Sequence, residues 1–298
     1  MSCPICTHKM FWPVAYSRDA AVDQWRREAG EVASYDWRLC RACGNAYPSK
    51  QPDLRVLARM WAINRTPGDA GANAETVAYR RFISRAGAER SYRLFSPLAD
   101  ASAGRFLDIA CGLGETVRIF AEHGWDAEGI DADPSTEPFH RELGLRTRIG
   151  QLEDIEIGSN YDVIHIAHAI YFITDPMSFL RMVRERLAPG GVFCVVLADF
   201  MATLDPALPS YAHSFFPTAA SMRYALALTG FETIFCHREK GSIFLAARPA
   251  SAVEKPSVWP FGIWLLHRTK ALRYALLGRP ATALARAIKA GIGRPSRR

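Results

Sequence analysis

Long apolar runs are missing from this chain. No stretch of the 298 residues approaches the roughly 18 consecutive apolar positions that mark a membrane-spanning helix. The 49% of hydrophobic residues is therefore available for a globular core. The start, Met1-Ser2-Cys3-Pro4-Ile5-Cys6, has no basic segment followed by an apolar one, so a secretory leader is not expected and the reading is a cytoplasmic protein. Acids are scarce at the other end. From Ser251 onward ten Lys or Arg face a single acid, Glu254, a net of +9. The whole chain carries +7, which leaves the first 250 residues at −2. A near-neutral body argues against nucleic acid as a partner and confines any anionic contact to the basic tail.

With no leader expected, the N-terminal four of the seven cysteines are read as metal-binding thiolates, the alternative being two disulfides or unligated thiols. Those four form two C-x-x-C pairs, Cys3/Cys6 and Cys40/Cys43, separated by 33 residues, somewhat more than the usual ribbon interval. Paired thiolates at that spacing suit a tetrahedral Zn²⁺ site, and with all four positions taken the metal is structural. Gly44 permits the tight knuckle after the second pair. Trp37 and Leu39 alternate, with Tyr35 before them, as a strand does, and Ala20 to Glu28 is expected to form a short helix.

A third glycine is missing from the central motif. The run Phe106 to Asp133 reads as strand, glycine turn, helix and second strand, with Gly112 and Gly114 in the turn. Dinucleotide sites use G-x-G-x-x-G, but here the third position is Val117, and Glu115 at the helix start would repel a pyrophosphate. Asp108 suits an ammonium group instead, and Asp131, ending the second strand, is placed to accept from ribose hydroxyls.

Asp108-Ile109-Ala110-Cys111-Gly112-Leu113-Gly114 resembles the first motif of class I S-adenosylmethionine-dependent methyltransferases, with Ala110 in place of the family's first glycine. Leu187-Ala188-Pro189-Gly190-Gly191 before a strand is a second family mark. The resemblance implies an α/β, Rossmann-like seven-stranded sheet ending in an antiparallel hairpin. It also implies S-adenosyl-L-methionine as cofactor, held by Asp108, Ala110, Gly112, Gly114, Asp131, Ala132, Gln151, Leu152 and His168. Gln151 stands where the family often has an acid for the adenine amino group. The expected layout is a zinc ribbon over 1–50, a helical linker and cofactor cap over 51–103, the methyltransferase domain over 104–250 and a basic helical tail over 251–298.

Within the family, the chain resembles the branch that methylates sugars, natural products and similar small molecules, which carries H-x-x-E-H before a D-P. Here His168 is followed by Tyr171 and Phe172 where Glu and His would stand, ahead of Asp175-Pro176. The usual base is gone. The candidates left are His168, Tyr171 and, from the aromatic loop Ala198 to Pro217, His213, with Asp199 as a further substrate contact and Tyr79 and Arg80 on the cap helix. His165 reads as a hydrogen-bonded core residue. The resulting expectation is methyl transfer to a small polar acceptor, most simply O-methylation. An RNA methyltransferase and a cofactor-binding protein without catalysis are the alternatives. In the tail, Ala281, Leu284, Ala285, Ile288 and Ile292 share one helical face, whereas Trp259 to Leu277 shows no clean stripe; contact with an anionic membrane surface, with nucleic acid or with the body is open.

Overall fold

The computed structural model describes residues 1–14, 36–51, 74–100, 103–199, 213–273 and 276. A small antiparallel sheet comes first, of strands β1 (Phe11–Val14), β2 (Trp37–Cys40) and β3 (Ala46–Pro48), with β2 in the middle. The expected strand leading into the second cysteine pair is therefore present. The expected helix at Ala20 to Glu28 lies outside the described residues.

The body is built on seven strands in the order β6-β5-β4-β7-β8-β10-β9. They are β4 (Arg105–Ile109), β5 (Asp126–Asp131), β6 (Thr147–Ile149), β7 (Tyr161–Ala167), β8 (Leu187–Ala198), β9 (Phe231–Glu239) and β10 (Ser242–Pro249). The first five are parallel, and β10 enters antiparallel between β8 and β9. The seven-stranded α/β sheet with a terminal hairpin is as expected. Lys240 and Gly241, both at positive φ, form the two-residue turn of the hairpin that right-handed strand twist favours.

The apolar runs are explained by burial on both faces. Along β8, Phe193, Val195 and Leu197 enter one core, while Val192, Cys194 and Val196 enter the other with Phe95, Phe106, Phe120 and Trp125. β8 also starts earlier than Val192. Leu187 already pairs with Tyr161, and the register slips before Val163 meets Val192. Gly191 is required there, since a Cβ would stand 2.7 Å from the Tyr161 carbonyl oxygen.

Helices α1 (Ala74–Phe95), α2 (Glu115–Glu122), α3 (Glu137–Glu142), α4 (Pro176–Arg186), α5 (Ala219–Leu228) and α6 (Pro260–Arg273) complete the layers. Local chemistry sets several ends: the Asp175 carboxylate accepts from Ser178 N–H at 3.0 Å, and Thr218 with Ser221 forms a capping box. α1 stacks on α2 through Tyr92 and Phe120, whose ring centroids lie 5.1 Å apart.

The small sheet is joined to the body. Ala46 of β3 and Phe216 exchange backbone hydrogen bonds, and Tyr47, Cys43, Phe215 and Phe216 belong to one continuous core with Leu226 and Tyr171. α6 then covers the small sheet, with Trp264 Nε1–H donating to the Pro13 carbonyl at 3.4 Å.

Candidate active site and cysteine cluster

The strand order reverses between β4 and β7, so the crevice lies beyond their carboxyl ends. Two backbone distortions flank it. Ala110, after β4, has φ 59° and His168, after β7, has φ 53°, a left-handed conformation that costs a residue with a Cβ about 1–2 kcal/mol. Gly112 and Gly114, at φ 54° and 79°, complete the turn. Their roles differ. A Cβ on Gly112 would meet nothing within 4 Å, so open space lies before it, whereas one on Gly114 would strike Leu145 Cδ1 at 2.4 Å. Gly112 leaves room for a ligand, and Gly114 lets the turn seat against the loop before β6.

Asp131 closes this turn. One carboxylate oxygen accepts from Gly112 N–H at 2.7 Å and the other from Asp133 N–H at 2.8 Å. Burial pushes its pKa up to about 6, and the two backbone donors pull the other way. Ala132 is half-buried beside it, Leu152 packs partly against the main core, and Gln151 is exposed. Asp108 is buried, and its Oδ1 accepts a 2.7 Å hydrogen bond from His165 Nδ1–H. His165 is thus a hydrogen-bonded core residue as expected, and its partner is the acid of the glycine motif.

Glu115 does not act as the repelling charge expected at the helix start. The Glu115 carboxylate is buried in ion pairs with Arg118, at 3.2 Å, and with Arg85 of α1, at 3.7 Å. Its charge is neutralised within the helix layer, so it gives no repulsion at the turn. Two other residues of the turn escaped the reading. His140 Nε2 lies 2.6 Å from the Gly112 carbonyl oxygen and holds the turn from α3. Gly129 of β5 leaves space for Val117, which a Cβ would approach to 2.9 Å, so the packing role of the missing third glycine has moved to the neighbouring strand. A glycine inside a strand was the available signal for Gly129; none marked His140.

At the carboxyl end of β7, His168 has an exposed surface, with Nε2 3.5 Å from Ser242 Oγ, while desolvation of the ring, and then His165, lower its pKa. The Tyr171 hydroxyl accepts from Ala198 N–H, and burial raises its pKa well above the ordinary phenol. His213 is buried against Tyr171 and Phe172, with centroid distances of 5.1 and 5.0 Å, and burial lowers its pKa to about 3. Asp199 is buried, 3.7 Å from Arg238 Nε. Tyr79 and Arg80 belong to α1, and their side chains lie outside the described residues, as does the loop 200–212.

The four N-terminal thiols converge, with all Sγ atoms within 4.8 Å of one another. Cys6 lies 3.4 Å from Cys40 and 3.6 Å from Cys43, and Cys3 lies 3.6 Å from Cys43. Disulfides need about 2.05 Å, whereas a tetrahedron with metal–sulfur bonds of about 2.3 Å has edges near 3.8 Å. Thr7 and Gly44, both at positive φ, turn the two knuckles alike, and Ala42 N–H faces Cys40 Sγ at 3.4 Å. The set fits a divalent, thiophilic ion, which would offset the repulsion of thiolates held this close.

A parallel sheet with a switch point, an open glycine turn and an acid at the end of its second strand makes a nucleoside-binding site of Rossmann-like architecture. The family described as "Methyltransferase domain" matches residues 77–234, more than half of the chain. The protein belongs to this family, within the class I S-adenosylmethionine-dependent methyltransferases. The ubiquinone biosynthesis O-methyltransferase of Cereibacter sphaeroides is 35% identical over 95 residues, 30% of this chain and 38% of that protein. The protein of the same name from Azorhizobium caulinodans is 26% identical over 197 residues, 59% of this chain and 72% of its own. The chain thus spans less than half the length of the first relative. A crystal structure of an S-adenosylmethionine-dependent methyltransferase from Mesorhizobium loti is 18% identical, with TM-score 0.45 over 53% of this chain and 97% of that one.

Proposed function

We propose that this protein transfers a methyl group from S-adenosylmethionine to a hydroxyl of a small polar acceptor, such as a sugar or a natural product. The observation that carries this reading is the turn itself: Gly112 opens onto free space within hydrogen-bond reach of a carboxylate already oriented by two backbone donors. Asp131 keeps lone pairs for ribose hydroxyls, the Ala110–Gly114 turn receives the amino-acid end, and Gln151 and Leu152 flank the base. The cofactor supplies a methyl carbon made electrophilic by a neighbouring sulfonium. The protein's part is alignment, for which correct placement is worth on the order of 7–11 kcal/mol.

The acceptor hydroxyl has a proton to lose, and His168 takes it. His168 is exposed at the mouth of the crevice, whereas Tyr171 has its hydroxyl engaged and its proton held more tightly by burial. His213, kept neutral by burial, and Tyr171 form the wall against which the acceptor rests. The relatives' names, O-methyltransferases, support oxygen as the atom methylated. The cysteine cluster holds a structural Zn²⁺ with no open position.

The test is transfer of labelled methyl from the cofactor to a fractionated cell extract, followed by identification of the labelled product. Label on a hydroxyl oxygen of a small molecule is the expected result, and His168→Ala should lower turnover by about 10²–10⁴. Label found only on RNA, or full turnover in the variant, would overturn the acceptor or the base respectively.

A further inference from the structure

Helix α6 carries apolar side chains on two faces, and only one is used. Ile263 faces the small sheet, close enough to Gly44 that a Cβ there would come within 2.5 Å of it, and Trp264 packs on Trp12 with centroids 5.8 Å apart. His267, one turn after Ile263, is also buried. Pointing the other way are Leu265 and Leu272, at 44 and 60% exposure and seven residues apart, which keeps them on one face, while Phe261, 46% exposed, borders them with its ring against Trp12 at 6.0 Å. Trp259 just before the helix and Leu276 just after it are 69 and 66% exposed. A helix bordering water turns polar residues outward; this one turns out leucines and aromatics.

Charge decides what covers the stripe. Arg268 and Arg273 are exposed beside it, and all ten cations from Lys255 to Arg298 stand without an acid among them. A protein partner meets charge with complementary patches of limited extent, whereas ten cations without an acid call for a partner of one sign over its whole surface. An unbalanced cationic helix with an apolar stripe and a tryptophan at its end matches a surface that is uniformly anionic outside and apolar just beneath. We infer that α6 docks flat on an anionic lipid bilayer, with Leu265 and Leu272 sunk below the headgroups and Arg268 and Arg273 at the phosphates. The helix does not cross: among the described residues none is long and apolar enough to span a membrane. The small sheet, gripping the opposite face of α6, ties the body to that surface.

The full-length protein is sedimented with vesicles of phosphatidylcholine alone and of phosphatidylcholine mixed with phosphatidylglycerol. Binding to the mixed vesicles only, weakening as salt is raised, is expected. Leu265→Asp/Leu272→Asp should reduce it by at least about thirtyfold and Arg268→Ala/Arg273→Ala by at least about tenfold. Both variants should keep the wild-type circular dichroism and S-adenosylmethionine affinity, because the changed side chains are exposed. Failure to bind the mixed vesicles, or equal binding by the leucine variant, would overturn the inference. So would a dimer abolished by the leucine substitutions, which would give the stripe to a second copy, or RNA binding stronger than vesicle binding.

Discussion

Gly112 and Gly114 are two residues apart and should respond in opposite ways to the same substitution. Gly112→Ala places a methyl in open space at a left-handed position, costing the fold about 1 kcal/mol while filling the volume meant for the ligand. We expect S-adenosylmethionine affinity, measured by calorimetry, to fall at least about tenfold with only a small change in urea midpoint. Gly114→Ala drives a methyl into Leu145 and against His140, so the midpoint itself should fall. Ala110→Gly relieves a left-handed alanine; set against the extra chain entropy of glycine, a net gain of about 0.5–1 kcal/mol is expected. An unchanged or lower midpoint would show that the strain at Ala110 is absent.

Asp131 gives a pH signature at the same scale. Its folded pKa, about 6, is raised above the unfolded carboxylate value, so between pH ~4 and ~6 the native state binds the extra proton. The carboxyl therefore favours folding below that window, and this contribution is lost as pH climbs through it. Cofactor affinity should move the other way, rising as the carboxylate ionises through pH ~6 to accept from the ribose. Asp131→Asn should remove this part of both profiles, and a variant retaining the wild-type affinity profile would place the titration elsewhere.

Among the elements, the three-stranded sheet connects the cysteine cluster to Tyr171 and His213, the wall proposed for the acceptor. β3 pairs with Phe216, the Gln51 amide donates to the Ser214 carbonyl at 3.1 Å, and Ser214 N–H donates to the Tyr171 carbonyl at 2.7 Å. The glycine turn rests instead on Asp131, His140 and Leu145. Protein purified without chelator should carry about one zinc per chain, and Cys40→Ser should lower the melting temperature by about 10 °C or more. Where the variant stays folded, acceptor KM should rise more than the S-adenosylmethionine Kd; an equal loss of both would show that the ribbon supports the body as a whole. Here too the sequence was partly readable. The cysteine pairs are local motifs and announce themselves, but the bridge from Ala46 to Phe216 crosses 170 residues and leaves no periodic trace.

Across the whole molecule, the inward face of α6, through Ile263 and Trp264, packs on the same core as the small sheet and Tyr171, and leaves Leu265 and Leu272 outside it. The stripe escaped sequence reading because Ile263 and Trp264 serve the ribbon while Leu265 and Leu272 face out, so apolar residues surround much of the helix and no single-faced period survives. The tail stripe from Ala281 to Ile292 lies outside the described residues.

The run from Phe106 to Asp133 needed no tertiary information, because strand, turn, helix and strand follow one another and each is set by spacing within a few residues. The same holds for the thiol pairs and for the unbalanced charge of the tail. Folding alone decided that Asp108 meets His165, that Gly129 makes room for Val117, that Glu115 turns to Arg85, and which face of α6 stays uncovered. Those outcomes depend on strand order and on layers meeting across tens of residues, and packing of that range is a property of the assembled core rather than of any local pattern.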